Sequence, residues 1–220
     1  VCTAEADYDD VISVCEKLDI KYYSVNFSKE YKDEVFDHFL DEYKKGHTPN
    51  PDILCNREIK FKVFYNKARE FGADYLATGH YCQKSQDESH TYLVKGHDAN
   101  KDQTYFLYAI KEDVLQNILF PIGHLPKPKV RELAEKWELS TFAKKDSTGI
   151  CFIGERNFKK FLSQYIQGQK GQFVHLETGK ILGPHEGMCF YTIGQRKGLG
   201  LGGPGGPWFC LLYTSPSPRD

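Results

Sequence analysis

Helix-period and strand-period patterns alternate through the first eighty or so residues, and that alternation restricts the fold more than anything else in the chain. Asp7 stands where a helix cap is expected, ahead of Val11, Val14, Cys15 and Leu18 at helical spacing. Residues 20–27 read as a strand, and Ser28 then opens a second helix with Tyr31, Val35, Phe39 and Tyr43 on one face, stopped by Gly46. A third helix over about 57–71 leads through Gly72 to a short strand, Asp74-Tyr75-Leu76-Ala77-Thr78, which ends in Gly79-His80-Tyr81. Strands joined through helices imply a parallel α/β sheet, because a parallel crossover needs the length of a helix. Ligands of such sheets bind at the carboxyl ends of strands, where Gly79 and His80 fall.

Further along, the texture changes. Helical patterns return at roughly 102–119 and 127–138, and beyond Gly168 short apolar runs such as 172–176 and 188–193 are broken by glycine. These predict a small antiparallel β unit and therefore a second domain. Gly198-Leu199-Gly200-Leu201-Gly202-Gly203 formally matches a dinucleotide fingerprint, but Pro204, Gly205, Gly206 and Pro207 follow it. No helix can start there to receive a pyrophosphate, so the segment reads as a glycine-rich loop. Residues 210–220 form a Ser/Pro tail unlike the rest and are set aside from the fold.

Charge and cysteine usage exclude several classes. Lys plus Arg (29) nearly balance Asp plus Glu (30), so any nucleic-acid surface has to be a local patch. No apolar run reaches membrane-spanning length, and no membrane partner is expected. The seven cysteines are scattered at 2, 15, 55, 82, 151, 189 and 210 with no C-x-x-C pair. That pattern argues against a disulfide scaffold and against a closed zinc site, and favours a reducing cytoplasm with one or two thiols used for chemistry. Cys15 lies on a helix stripe, the place of a small buried hydrophobe.

Two cysteines sit in loops rich in Pro, Gly, Asp and Asn. Cys55 closes Thr48-Pro49-Asn50-Pro51-Asp52-Ile53-Leu54-Cys55-Asn56, just ahead of the third helix, where the positive end of the helix dipole favours thiolate. Asp52 is placed to receive or relay a proton; its charge opposes that shift, and Arg57 or Lys60 offsets it. Cys151 lies in Asp146-Ser147-Thr148-Gly149-Ile150-Cys151-Phe152-Ile153-Gly154-Glu155-Arg156, with Lys144, Lys145 and Arg156 supplying positive charge. Each has a plainer reading, an idle loop thiol or an incidental cysteine in a solvated basic loop. Asp102 is either a helix N-cap or part of a polar surface that touches phosphates or base edges, and His80 is either structural or functional.

Beyond these residues the chain resembles a known family, the MnmA-type tRNA-specific 2-thiouridylases of bacterial wording, over nearly all of residues 1–209. The matching stretches are 46–56, Ala77-Thr78-Gly79-His80-Tyr81, Gly96 through Phe106 around Lys101-Asp102-Gln103, Asp146 through Arg156, and Tyr191 through Gly200. The resemblance implies an ATP-dependent sulfurtransferase acting on the wobble uridine of tRNA. ATP, with Mg2+ and no permanently bound metal, adenylates the C2 oxygen. A persulfide on Cys151 delivers sulfur, and Cys55 is the partner nucleophile, either resolving the persulfide through a Cys55–Cys151 disulfide or releasing sulfide. It makes Asp52 the general acid/base, Gly79 an ATP contact, and Asn50, Pro51, Asp52, His80, Lys101, Asp102 and Gln103 contacts to tRNA. A sulfur-relay donor protein is the further partner.

The same resemblance sets the expected architecture. Residues 1–120 and 146–160 are expected to form an ATP-pyrophosphatase-type domain of the adenine-nucleotide α-hydrolase kind, without its first strand and Ser-Gly-Gly-Val-Asp-Ser loop. Residues 121–145 and 161–209 are expected to form a small mixed α/β central domain, and the family's C-terminal β-barrel is missing. On that reading residues 1–220 alone bind ATP poorly and do not thiolate tRNA. Two rivals are an inert tRNA-binding fragment and a related ATP-dependent adenylating ligase, which needs neither cysteine.

Overall fold

The computed structural model describes residues 4–145, 157–203 and 207–211, and the chain divides into two compact units. The first takes Val1–Val35 and Pro51–Gly154, the second Phe36–Asn50 and Glu155–Asp220.

In the first unit α1 spans Ala4–Lys17, so the helix is already running at Asp7 and that residue is no cap. Its Val11, and Leu18 just past its end, remain about half exposed. Residues 20–27, expected as a strand, have no regular structure: no described segment pairs with them, and a strand is defined by the neighbour that satisfies its backbone. Val25 and Phe27 keep the expected alternation, both half-buried between exposed neighbours. Next come α2 (Ser28–Tyr31) and a π-helical segment (Lys32–Phe36); α3 (Asp37–Lys44), which follows in the chain, is counted with the second unit. Gly46 ends this run as expected: its φ is +83°, its N–H donates to Tyr43 O, and the His47 N–H returns to Glu42 O.

A second helical run begins at Pro51, with α4 (Pro51–Leu54), a π-helical segment (Cys55–Phe64) and α5 (Tyr65–Glu70). Then β1 (Leu76–Ala77) pairs in parallel with β4 (Ile118–Leu119) in the register Leu76 to Ile118 and Ala77 to Leu119. Between them lie an antiparallel hairpin, β2 (Cys82–Gln86) with β3 (Thr91–Lys95), a 3-10 turn at Thr104–Phe106, and α6 (Glu112–Leu115). The expected helix over 102–119 is thus broken into three pieces. Phe61, Cys82, Leu107 and Ile118 form one buried cluster, and Val35, Leu54 and Ile59 a second.

The segment 121–145, expected in the central domain, falls within the first unit. Its helix α7 (Lys127–Lys136) has the Lys127 N–H held by Asp98 Oδ2 at 3.0 Å. Lys17 pairs with Glu138 at 2.8 Å and Lys144 with Asp7 and Asp10, tying the segment to α1.

In the second unit α8 (Phe158–Leu162) is capped by Asn157, whose side-chain oxygen accepts from Lys160 N. Phe39 and Tyr43 of α3 pack edge-on to each other, and Tyr43 lies 5.5 Å from the Phe158 ring. The expected antiparallel β unit is β5 (Gly171–Val174) with β6 (Ile181–His185). Residues 188–190, expected within a strand, form a 3-10 turn instead. No helix begins in the described part of the glycine-rich loop, residues 198–203.

Candidate functional site

The loop that was expected to carry Cys55 is itself helix from Pro51 onward. Proline suits the first helical position, since its missing N–H would have no partner there. Cys55 therefore sits in the second turn rather than ahead of the helix, and the dipole argument for its thiolate lapses, because that field fades within the first turn. Asp52 occupies the first turn. Burial pushes its carboxyl above the usual range, while the Lys60 ammonium pulls the other way.

At the carboxyl end of β1 the chain turns through Thr78, Gly79 and His80, the strand's last tie being Thr78 N–H to Leu119 O at 3.0 Å. Here the two regions meet. A cavity of about 630 Å³ has an apolar wall of Val25, Phe27, Ile59 and Phe64, and a polar side of Cys55, Lys60, Thr78, Gly79, His80 and Gln103. Four residues singled out in the sequence, Cys55, Gly79, His80 and Gln103, share this one cavity although they come from three separate stretches. A Cβ added to Gly79 would meet nothing within 4 Å, so the backbone there is open to a ligand.

His80 is held on both sides. Thr78 Oγ1 is a hydrogen-bond partner of its Nδ1, and Lys60 Nζ lies 3.4 Å from its Nε2. An ammonium only donates, so Nε2 accepts and Nδ1 carries the proton. Burial, with Lys60 adding to it, pushes the imidazole down to about 4. The sign of the pH effect follows. Between about 6.5 and 4 the unfolded chain binds a proton that folded His80 refuses, so stability present above 6.5 is lost as pH falls through that window. His80→Gln should remove about 2 kcal/mol of that acid sensitivity, read from urea midpoints at pH 7.5 and pH 4.5.

The Lys101-Asp102-Gln103 patch is a loop whose side chains hold its neighbours. Asp102 accepts from Gly96 N (2.9 Å), Thr104 N (3.4 Å) and Thr104 Oγ1 (2.7 Å), tying the end of β3 to the 3-10 turn, whose cap position is Gln103. Partial burial acts to raise its carboxyl, but those hydrogen bonds leave it below the ordinary range. Gln103 Oε1 accepts from Tyr81 N at 2.9 Å, and Gln103 N donates to Tyr81 O, fastening this loop to the His80 turn. Asn50, Pro51, Asp52, Lys101 and Asp102 are not among the cavity-lining residues. Cys151 lies outside the described residues, so its distance from Cys55 is not a feature of this structure. No two described cysteines are joined to each other, and Cys82, fully buried, has its thiol pushed up to about 12 by burial and by Asp102. Among the described residues no group of three or more His, Cys, Asp or Glu could hold a metal ion, and no helix is long and apolar enough to cross a membrane.

Sequence reasoning missed Thr78 and Asn56. Asn56, buried, accepts from Lys60 Nζ at 2.9 Å and donates to Phe106 O at 3.4 Å.

An α/β domain with a cavity at the carboxyl end of its parallel strand, together with a smaller β-containing unit, defines the class. Residues 1–155 match the tRNA methyl transferase HUP domain model and residues 159–213 the tRNA methyl transferase PRC-barrel domain model. The chain is 59% identical over 212 residues to a protein of Oceanobacillus iheyensis named tRNA-specific 2-thiouridylase MnmA, covering 96% of this chain and 57% of that one. It is 57% identical over 210 residues to the protein of that name from Bacillus subtilis (96% and 56%), and 57% over 212 residues to the one from Staphylococcus epidermidis (96% and 57%). The chain belongs to this MnmA family, and its first domain is of the HUP, adenine-nucleotide α-hydrolase-like type. It spans little more than half the length of the curated relatives it matches.

Proposed function

We propose that this chain is the catalytic part of an ATP-dependent sulfurtransferase that 2-thiolates the wobble uridine of tRNA. The observation that carries the reading is the meeting of Cys55 with Gly79 and His80 in one cavity. Its volume falls in the range of about 300–1,000 Å³ usual for small-molecule sites. The open face of Gly79 and the apolar wall fit a nucleotide ring, with Lys60 as the nearby cation. ATP held there would supply the adenylyl group that makes the uridine C2 oxygen a leaving group.

The chain's own residues do the rest. Asp52, its carboxyl raised by burial and countered by Lys60, holds or moves a proton. Cys151 carries the sulfur as a persulfide received from a relay protein. The Cys55 thiolate attacks the inner sulfur of that persulfide, forming a Cys55–Cys151 disulfide and releasing hydrosulfide, which adds to C2; an external thiol reductant then restores both cysteines. Asn50, Pro51, His80, Lys101, Asp102 and Gln103 hold the anticodon loop, whose target base leaves its stack to react.

The test uses the chain extended to the length of its relatives, unmodified tRNA, ATP and a persulfide donor, with thiolated tRNA read by retardation in a mercury-containing gel. A retarded band that needs ATP, and that Cys151→Ser abolishes, is expected. No band under any condition, or full activity of Cys151→Ser, overturns the proposal.

A further inference from the structure

We infer that Lys60 is a positioning residue of this cavity, setting the charge state of the Cys55 sulfur. The inference rests on the reading of Cys55 as a nucleophile and adds a residue to it. Cys55 and Lys60 are five apart in a segment wound as a π-helix. In that winding the N–H of residue i+5 returns to the carbonyl of residue i, so the two stack on one face. In an ordinary α-helix a spacing of five would send them to different faces. Both line the cavity.

The ammonium is fixed rather than loose. Asn56 Oδ1 holds it at 2.9 Å, His80 Nε2 lies at 3.4 Å, and buried Asn56 is itself anchored to Phe106 O. Among the described residues lining the cavity, Lys60 alone carries positive charge near neutral pH, since His80 is neutral. The other groups around Cys55 do not replace it. Val25 and Phe27 are apolar and Gln103 is uncharged. Arg57 pairs with Glu58 at 2.6 Å, and Glu58 also takes Lys62. Asp52, on the same helical run, carries the opposing charge, which Lys60 counters. A thiol with an apolar wall behind it is otherwise driven toward its neutral form. Lys60 therefore takes over the task that the helix dipole cannot perform at this position.

The experiment reads the thiol and not the thiolation. In the 220-residue chain, alkylation of Cys55 by iodoacetamide is followed from pH 5.5 to 10 by mass spectrometry of its peptide, for the parent, Lys60→Met and Lys60→Arg. Lys60→Met should shift the profile up by about one pH unit and slow the reaction at pH 7 about threefold to tenfold, with Lys60→Arg within about twofold of the parent. A Lys60→Met profile that overlays the parent's, or an Arg variant as slow as the Met variant, overturns the inference. Should Lys60→Met fail to fold, the parent alone decides. The iodoacetate-to-iodoacetamide rate ratio at Cys55 should be about threefold higher in the folded chain than in urea, because a nearby cation draws the anionic reagent. An equal or lower ratio overturns the inference. Neither readout needs tRNA or ATP, so failure of the sulfur-transfer proposal would leave this result standing.

Discussion

Cys55→Ser in the extended form is expected to lower ATP-dependent thiolation by about a thousandfold or more while leaving the fold intact. The substitution changes one atom. The side chain packs beside the Val35, Leu54 and Ile59 cluster but is only half-buried, so a hydroxyl there costs about 1 kcal/mol. A serine hydroxyl does not ionise near neutral pH and cannot open an S–S bond, so the chemistry stops. Cys82→Ser should show the opposite pattern. Cys82 is fully buried in the other cluster, with its thiol at about 12, and a hydroxyl there should lower stability with the alkylation rate of Cys55 unchanged. Thiolation assays and urea melts of the two variants separate the thiol used for chemistry from the one used for packing. A Cys55→Ser enzyme with parent activity would end the nucleophile assignment.

How far the sequence reached can be judged at particular residues. The end of β1 was legible because a strand followed by Gly79 and His80 has few other uses in an α/β chain. The Gly46 stop was legible because only a residue tolerant of positive φ ends a helix that way. The hairpin was not. β2 reads Cys-Gln-Lys-Ser-Gln, with little β-propensity and no alternation, and its strand character comes from pairing with Thr91–Lys95. Residues 20–27 erred in the other direction, having the composition of a strand and no described partner. At the site, Cys55, Gly79, His80 and Gln103 were found singly, but the start of the helix at Pro51 was not. Pro49 and Pro51 look like loop residues until the second is recognised as a first helical position. That misplacement hid the π winding, and with it the five-residue relation between Cys55 and Lys60. Helix periodicity carries no signal for i+5 contacts, since it is built on spacings of three and four.

Two glycines, Gly79 of the cavity and Gly123 against the Cys82 backbone, are expected to respond to alanine in opposite ways. A Cβ on Gly123 would land inside the Cys82 carbonyl oxygen and 2.6 Å from the carbonyl carbon. These are backbone atoms, so no rotamer change relieves the clash. Neighbouring backbone cannot yield cheaply either: Gly123 O accepts from His97 N at 2.9 Å, Gly123 N donates to Phe120 O, and Cys82 opens β2 while its N–H holds His80 O. Gly123→Ala must therefore separate the 120–125 turn from the hairpin and drag the His80 turn with it. The expected cost is about 4 kcal/mol, a fall of about 8–16 °C in Tm. Gly79→Ala places its methyl in open space, and its Tm should stay within about 2 °C of the parent, because nothing has to move. If nucleotide binds where proposed, Gly79→Ala instead weakens ATP binding in the extended form, since the methyl occupies the approach to the backbone. Thermal melts followed by circular dichroism, with ATP titrations of the extended form, check both halves. A Gly123→Ala chain that melts with the parent would show that the hairpin does not rest on this turn, and the structural link from the 120–125 segment to the His80 turn would fall with it.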